Sequence, residues 1–305
     1  MTRPTIQHAA CAAFVALMLA GCSTVATNEL LVPIQEPPPA AAARAGMAEV
    51  QAARLPYTDT GGPGEAVVLL HPATGNLRSW AYQQPALAAA GYRVITYSRR
   101  GHAGAEALQG SQAVAASADL ARLLDQLGVA RAHLVGVAAG GIYGTDFALT
   151  YPTRVRSLTI AASIVAISDT NYMRESSALR PDGFERMPSE FRELGPQYRA
   201  AHPAGVAQWR EIERANTISP ATSAQQRPPL QSRLDLDALA TLRMPVLLIA
   251  ASADLYSPPA MFARMAARIP GVSTLVVEGS GHSPHWERPD IFNAGLLRFL
   301  RGDAK

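Results

Sequence analysis

Residues 134–141 read LVGVAAGG, an apolar run that passes into a cluster of alanine and glycine. Residues 133–137 have the composition of a buried strand, and a helical pattern follows Gly141. The small residues between the two predict the turn of a strand–turn–helix unit, and Ala138 lies at its centre.

Other apolar runs occur on both sides of this unit and alternate with helical patterns. Five of them are candidate strands, at residues 66–70, 93–97, 157–161, 246–250 and 274–277. Leucines at helical spacing stop at Gly128, and a further helical pattern follows Pro289. Apolar strands that alternate with helices predict an α/β fold, with a mostly parallel sheet flanked by helices on both faces. Active sites in such sheets lie beyond the carboxyl ends of the strands.

The alternation stops between about residues 164 and 243, where methionines and aromatic residues such as Trp209 lie among charged residues and prolines. This stretch is predicted to be an inserted helical cap. The chain has 305 residues, of which 48% are hydrophobic and 17% charged, so it can bury a large core. We therefore predict one α/β domain over residues 47–305, with the cap inserted at about 164–243.

The N-terminus has the pattern of an export signal. Arg3 supplies a positive charge, residues 9–20 are apolar but too few to span a bilayer, and residues 19–22 read LAGC. This tetrapeptide resembles a bacterial lipobox, which implies that residues 1–21 are a lipoprotein signal peptide and that Cys22 is acylated. The alternative is an ordinary cleaved signal with a chance cysteine.

The residues after this cysteine extend the same prediction. Ser23 is more typical of an outer-membrane lipoprotein, so the predicted location is the bacterial cell envelope, lipid-anchored in the outer membrane and facing the periplasm. Residues 22–46 are rich in proline and alanine and predict a semi-rigid tether. Because Cys11 leaves with the signal and Cys22 is acylated, no thiol remains for a disulfide, a metal or a nucleophile.

Charge and motif content limit the other partners. The formal net charge is +3 and the pI about 9.0, but basic and acidic residues are interspersed, which argues against nucleic acid. No spacing of histidine, cysteine or carboxylate is typical of a metal site, and no glycine-rich loop matches a phosphate-binding motif. We expect a small-molecule substrate, no metal and no organic cofactor. The membrane is the expected partner of the lipid anchor, and the oligomeric state stays open.

The turn at residues 134–141 is similar to the nucleophile elbow G-x-S-x-G of the α/β-hydrolase superfamily, which points its central side chain into the site. Gly136 and Gly140 match the two glycines, whereas Ala138 stands at the serine position. Four other motifs occur in the superfamily's order: LLHP at 69–72, RRGH at 99–102, AD at 253–254 and GHS at 281–283. The chain is thereby identified as a member of this superfamily over roughly residues 48–302.

The resemblance implies roles for individual residues. Pro72 replaces a glycine of the oxyanion-hole loop and has no N–H, so the amides of Ala73 and Ala139 are the expected oxyanion donors. Asp254 matches the triad acid and His282 the triad histidine. The carboxylate would fix the imidazole tautomer through one ring nitrogen and leave the other as a base. Ala138, at the nucleophile position, gives that base no hydroxyl to activate.

The alanine leaves three interpretations open. In the first, Ala138 is native, and the His282/Asp254 pair acts on a small carbonyl substrate (an ester, a lactone or a C–C bond next to a carbonyl) without a serine nucleophile. In the second, the protein is a non-catalytic ligand-binding protein of the envelope. In the third, a serine hydrolase carries an engineered serine-to-alanine change at 138. The retained acid and histidine favour the first, with the cap shaping the pocket.

Overall fold

The computed structural model describes residues 35–106, 114–216 and 228–303. These residues form an eight-stranded sheet with the strand order β1-β2-β4-β3-β5-β6-β7-β8. The strands are β1 (Arg44–Val50), β2 (Ala53–Asp59), β3 (Ala66–Leu70), β4 (Arg93–Tyr97), β5 (Ala132–Val137), β6 (Val155–Ala161), β7 (Val246–Ala251) and β8 (Ser273–Val277). Strands β3 to β8 pair in parallel, and β1 and β2 add an antiparallel edge. The predicted mostly parallel α/β sheet is confirmed.

The parallel strands are the ones that the apolar runs predict, with bounds that differ by at most two residues. Every residue of β3, β5 and β7 is buried, as expected for strands covered by helices on both faces. The sequence does not predict β1, because most of its residues are exposed or half-buried and it lacks an apolar run. The continuous apolar pattern therefore marks the centre of this sheet and misses its edge.

The N-terminal boundary of the domain differs from the prediction. Strand β1 begins at Arg44, so the tether predicted over residues 22–46 overlaps the sheet by three residues. The segment before the strand contacts the domain: the Gln84 amide accepts from Ala41 N and donates to Ala41 O, both at 3.0 Å. The segment before β1 therefore packs on the domain at Ala41, whose backbone is hydrogen-bonded to the side chain of Gln84.

The described residues also form α-helices, some of which cover the two faces of the sheet. They are α1 (Gln83–Ala89), α2 (Ala116–Gln126), α3 (Ala139–Thr150), α4 (Thr170–Ala178), α5 (Ser189–Glu193), α6 (Pro196–Ala201), α7 (Pro203–Arg214), α8 (Leu236–Leu239), α9 (Pro259–Ala266), α10 (Pro284–Glu287) and α11 (Pro289–Leu300). One apolar cluster includes Leu123 and Phe147, and a second includes Trp80 and Phe292. The two clusters fix the sheet between its helices.

The stretch between β6 and β7, where the sequence predicts a cap, contains helices α4 to α8 in its described part. Trp209 of α7, which lies in this stretch, is buried, with 5% of its surface exposed. Among the described residues, no helix is both long and apolar enough to cross a membrane. The predicted signal peptide, residues 1–21, and Cys22 lie outside the described ranges.

Candidate active site

The turn after β5 holds Ala138 in a conformation that non-glycine residues rarely adopt, with φ 51° and ψ −118°. The Ala138 N–H donates to the carbonyl oxygen of Ala161 at 3.0 Å. Its own carbonyl oxygen accepts from Gly141 N at 2.9 Å and from Ser163 Oγ at 2.6 Å. These bonds hold the strained residue on both sides and keep the turn at the carboxyl edge of the sheet.

Close backbone packing explains the two glycines of this turn. A Cβ atom on Gly140 would overlap the carbonyl oxygen of Leu70 at the end of β3, and one on Gly136 would overlap the carbonyl oxygen of Gly140. No side chain fits at either position. The turn predicted from residues 136–140 is therefore present in backbone and packing, with a methyl group at its centre.

The loop after β3 is fixed through the carbonyl oxygen of Pro72. This oxygen accepts hydrogen bonds from His71 Nδ1 at 2.7 Å, Gly75 N at 3.1 Å and Arg99 Nη2 at 3.2 Å. The N–H of a trans peptide points away from its C=O, so these bonds also fix the direction of the Ala73 N–H. Ala73 is exposed, and its N–H donates to no group in the described part of the chain.

The N–H of Ala139, the second predicted oxyanion donor, also has no acceptor among the described residues. Helix α3 begins at Ala139, whose N–H therefore has no acceptor within the helix. Ala139 is half-buried and lies at the end of the helix where the dipole favours negative charge. Neither amide N–H therefore has an acceptor among the described residues.

The structure brings together the two side chains that the sequence pairs as acid and base. Asp254 follows β7 and His282 follows β8, and His282 Nδ1 lies 2.8 Å from Asp254 Oδ2 and 3.0 Å from Oδ1. The carboxylate also accepts from Ser257 Oγ at 2.7 Å and from the backbone N–H of Tyr256 at 2.8 Å. The exposed fractions of Asp254 and His282 are 4% and 6%. The pair is thus buried and fully hydrogen-bonded on the carboxylate side.

Burial and pairing act in opposite directions on this pair. Burial disfavours the ionised carboxyl group, but the charge of His282 and the hydrogen bonds from His282 and Ser257 lower the pKa of Asp254. Burial likewise disfavours the imidazolium, but the Asp254 carboxylate raises the pKa of His282 above its ordinary value. The pair therefore stabilises the protonated histidine, which is the form that a base takes after it accepts a proton.

Two residues beside His282 have no signature in the sequence. The Tyr256 ring packs on the His282 ring, with centroids 4.4 Å apart and planes inclined by 31°. Glu193 ends α5 in the cap and is 5% exposed, and its Oε2 has no hydrogen-bond partner among the described residues. Burial raises the pKa of Glu193 to about 7, although the nearby charge of His282 lowers it. No motif marks a carboxyl group in a cap, so only the tertiary structure reveals it.

The cap is hydrogen-bonded to the loop after β3. Asn76 Nδ2 donates to the carbonyl oxygen of Ile212 at 2.8 Å and to Asn216 Oδ1 at 3.1 Å. Asn216 Nδ2 in turn donates to the carbonyl oxygen of Thr74 at 3.0 Å. The end of α7 is thereby held against the loop that carries the Ala73 amide. Within the described ranges, no three histidine, cysteine or acidic side chains are placed to hold a metal ion.

Comparison with known proteins agrees with this architecture. A family model described as alpha/beta hydrolase fold matches residues 65–289. The chain is also 31% identical over 268 residues to a protein of Caulobacter sp. (strain K31) named "Putative carbamate hydrolase RutD". That match covers 80% of this chain and 94% of the relative.

Two further proteins extend the comparison. A 2-hydroxy-6-oxononadienedioate/2-hydroxy-6-oxononatrienedioate hydrolase of Burkholderia vietnamiensis (strain G4 / LMG 22486) is 30% identical over 271 residues, covering 81% of this chain and 91% of that protein. The solved structure of a thermophilic esterase from Thermogutta terrifontis, with malate bound, is similar with a TM-score of 0.70 at 24% identity. It covers 86% of this chain and 100% of its own, and shows the fold alone. This chain belongs to the α/β-hydrolase superfamily, and relatives that it matches are named as hydrolases.

Proposed function

We propose that this protein hydrolyses a small carbonyl compound without a serine nucleophile. In this proposal His282 is the general base, Asp254 orients it, and the amides of Ala73 and Ala139 donate to the oxyanion. The observation that carries the proposal is the buried contact of 2.8 Å between His282 Nδ1 and Asp254. It lies at the same edge of the sheet as a strained turn whose central residue, Ala138, has no hydroxyl.

The reaction follows from this arrangement. His282 Nδ1 donates to Asp254, which leaves Nε2 free to take a proton from a water molecule. The resulting hydroxide adds to the carbonyl carbon, and the oxygen that becomes negative receives hydrogen bonds from the two amides. The tetrahedral intermediate then collapses: the C=O bond re-forms, the bond to the leaving group breaks, and the imidazolium gives its proton to that group. Because Ala138 offers no hydroxyl, no acyl group is transferred to the protein.

The names of two relatives support a carbonyl substrate. One is named as a carbamate hydrolase and the other as a hydrolase of an oxo dioate. Both kinds of compound present a carbonyl carbon to attack by water. For this chain we propose the class and no single member of it: esters, lactones, carbamates and compounds with a C–C bond next to a carbonyl.

A second candidate function is ligand binding without turnover. The absence of a hydroxyl on Ala138 favours it, because the residue at the centre of the turn cannot attack a substrate. In this case the protein binds a small molecule without converting it, and the His282/Asp254 pair has only a structural role. The two candidate functions therefore differ at Asp254, which is required for turnover in the first and is not required for ligand binding in the second.

The deciding experiment measures turnover of the purified full chain on a panel of esters, lactones, carbamates and β-diketones. Asp254→Asn keeps the shape of the side chain but presents the wrong hydrogen-bonding group to His282, so kcat should fall by about 10³- to 10⁴-fold. The matched control is Asp237→Asn, the same change at an exposed aspartate, which should leave kcat unchanged. Ala138→Ser should add little activity if the alanine is native.

Two outcomes would overturn the proposal. No turnover on the whole panel, together with ligand binding that survives Asp254→Asn, would establish the binding function instead. A large gain of esterase activity in Ala138→Ser, over an inactive parent chain, would show that the site is built for a serine nucleophile. Either result is obtained from the same four proteins: the parent chain, Asp254→Asn, Asp237→Asn and Ala138→Ser.

We also propose that the protein is lipid-anchored through Cys22 in the outer membrane and faces the periplasm. The support is the sequence LAGC at residues 19–22, with Ser23 after it. Cys22→Ser should abolish incorporation of labelled fatty acid and release the protein from the membrane fraction. Labelling that persists in this variant, or a parent chain found only in the soluble fraction, would contradict the anchor.

A further inference from the structure

A single buried carboxylate holds the backbone on both sides of His282. Glu287 ends the short helix α10, five residues after the histidine, and is 2% exposed. Its Oε1 accepts from Gly281 N at 3.1 Å and from Ser283 N at 3.3 Å, and its Oε2 lies 3.0 Å from Gly281 N. The backbone N–H groups of the residues directly before and after His282 therefore point at the same side chain.

The same carboxylate reaches the cap. Glu287 Oε2 accepts from Gly195 N at 2.8 Å, two residues after the buried carboxyl group of Glu193. The backbones meet here without room for side chains, since a Cβ atom on Gly281 would overlap Gly195 N. The cap segment 193–195 and the histidine loop are thus joined through one residue.

Charge pairing does not explain this burial. No ion pair in the described part of the chain includes Glu287, and its acceptor bonds all come from backbone N–H groups. Burial raises the pKa of Glu287 to about 7, while the hydrogen bonds from Gly281, Gly195 and Ser283 lower it. Burying a carboxylate without a cation costs free energy of folding. We therefore infer that Glu287 has a role in binding the backbone N–H groups of the two loops.

We propose that Glu287 is a positioning residue that couples docking of the cap segment 193–195 to the alignment of His282 with Asp254. Asp254 lies on the loop after β7, so its bond to His282 depends on the direction of the peptides at 281 and 283. Release of those peptides would let the imidazole turn away from the carboxylate. The functional consequence rests on the proposed role of His282 as base, whereas the alignment itself does not.

The test replaces Glu287 by glutamine in the full chain. Gly195 and Ser283 donate to different oxygens of Glu287, and a glutamine has one acceptor oxygen and one NH2 group. Either orientation of the amide therefore sets two donors against each other. The matched control is Glu278→Gln, at an exposed glutamate directly after β8.

The main readout is the low-field proton resonance of His282 Nδ1–H in its bond to Asp254, assigned by its loss in His282→Ala. In Glu287→Gln this resonance should shift or broaden beyond detection, while Glu278→Gln keeps it unchanged. If the parent chain turns over a substrate, kcat should also fall by about tenfold to a hundredfold with little change in KM. An unchanged resonance in a folded Glu287→Gln would overturn the proposal.

A measurement on the unaltered protein covers the case in which Glu287→Gln does not fold. The amides of Gly195, Gly281 and Ser283 should exchange with deuterium through one shared opening, because they donate to one carboxylate. Independent, much faster exchange at Gly195 would show that cap and histidine loop are not coupled. Neither the proton resonance nor the deuterium exchange needs turnover. If the chain binds ligand without catalysis, the proposed function is therefore wrong, but this inference is unaffected.

Discussion

The turn at Ala138 and the loop that carries His282 lie at the same edge of the sheet, but different interactions hold them. Around the turn, the backbone of residues 136–141 packs directly on Leu70 and Ala161, and glycines allow the close approach. Around His282, buried charged groups from three separate segments meet. One half of the site depends on shape and local backbone geometry, and the other on long-range hydrogen bonds to carboxylates.

This difference determines how each half responds to change. A backbone contact cannot be relieved by protonation or by a new rotamer, so substitution there acts on folding. A buried carboxylate changes its charge with pH, so the histidine half can lose its order while the sheet stays intact. Substitutions in the two halves should therefore differ in kind as well as in size.

The largest effect is expected for Gly140→Ala, which tests the backbone half. The new methyl group would overlap the carbonyl oxygen of Leu70, and neither helix α3 nor strand β3 can move without breaking the sheet. We expect the free energy of unfolding to fall by more than about 4 kcal/mol, or no folded protein at all. Urea unfolding followed by circular dichroism measures it.

The control is Gly144→Ala, one turn further along the same helix. Its Cβ atom would meet the ends of the Leu70 and Leu158 side chains, at 3.0 and 3.4 Å. These groups can shift, and alanine is the better helix former, so the change should stay within about 1 kcal/mol. If both variants lose the same free energy of unfolding, helix α3 tolerates added volume at neither position. The contact of Gly140 with Leu70 would then have no special role.

The same difference explains what could be predicted from sequence. Residues 134–141, 253–254 and 281–283 are local patterns at strand ends, so the sheet, the turn and the order of Asp254 and His282 follow from them. The parts that sequence misses are those that distant segments create. Glu193 and Glu287 carry no motif of their own, because their environment depends on how the cap docks.

A smaller effect is expected for Glu193→Gln, which tests the charged half. Glu193 has a pKa of about 7 in the folded protein against an ordinary 4.5, so the native state holds an extra proton between these pH values. This contribution to stability is complete below pH 4.5 and is lost as pH rises to about 7. Relative to the parent, Glu193→Gln should therefore gain on the order of 1–3 kcal/mol between pH 4.5 and pH 8.

The measurement is the urea midpoint of both proteins across that pH range, with Glu211→Gln, an exposed glutamate of the cap, as control. Burial lowers the pKa of His102 and His285 to about 3, so these residues make stability rise with pH in both proteins. The informative quantity is therefore the difference in urea midpoint between the parent and Glu193→Gln. Parallel curves for the parent and Glu193→Gln would mean that the carboxyl group titrates as in the unfolded chain. The contrast between the two halves would then rest on Glu287 alone.

The smallest effect is expected for Ala138→Gly, because its contributions oppose one another. Glycine relieves the strain of φ 51°, a gain of about 1–3 kcal/mol, but it loses a buried methyl group and adds freedom to the unfolded chain, at about 1 kcal/mol each. We expect the unfolding free energy to change by less than about 1 kcal/mol. Ala139→Gly, next to it in the unstrained first turn of α3, gains nothing from strain relief and should lose about 1 kcal/mol. If Ala138→Gly loses as much as Ala139→Gly, the turn stores no strain, and the backbone half is held by packing alone.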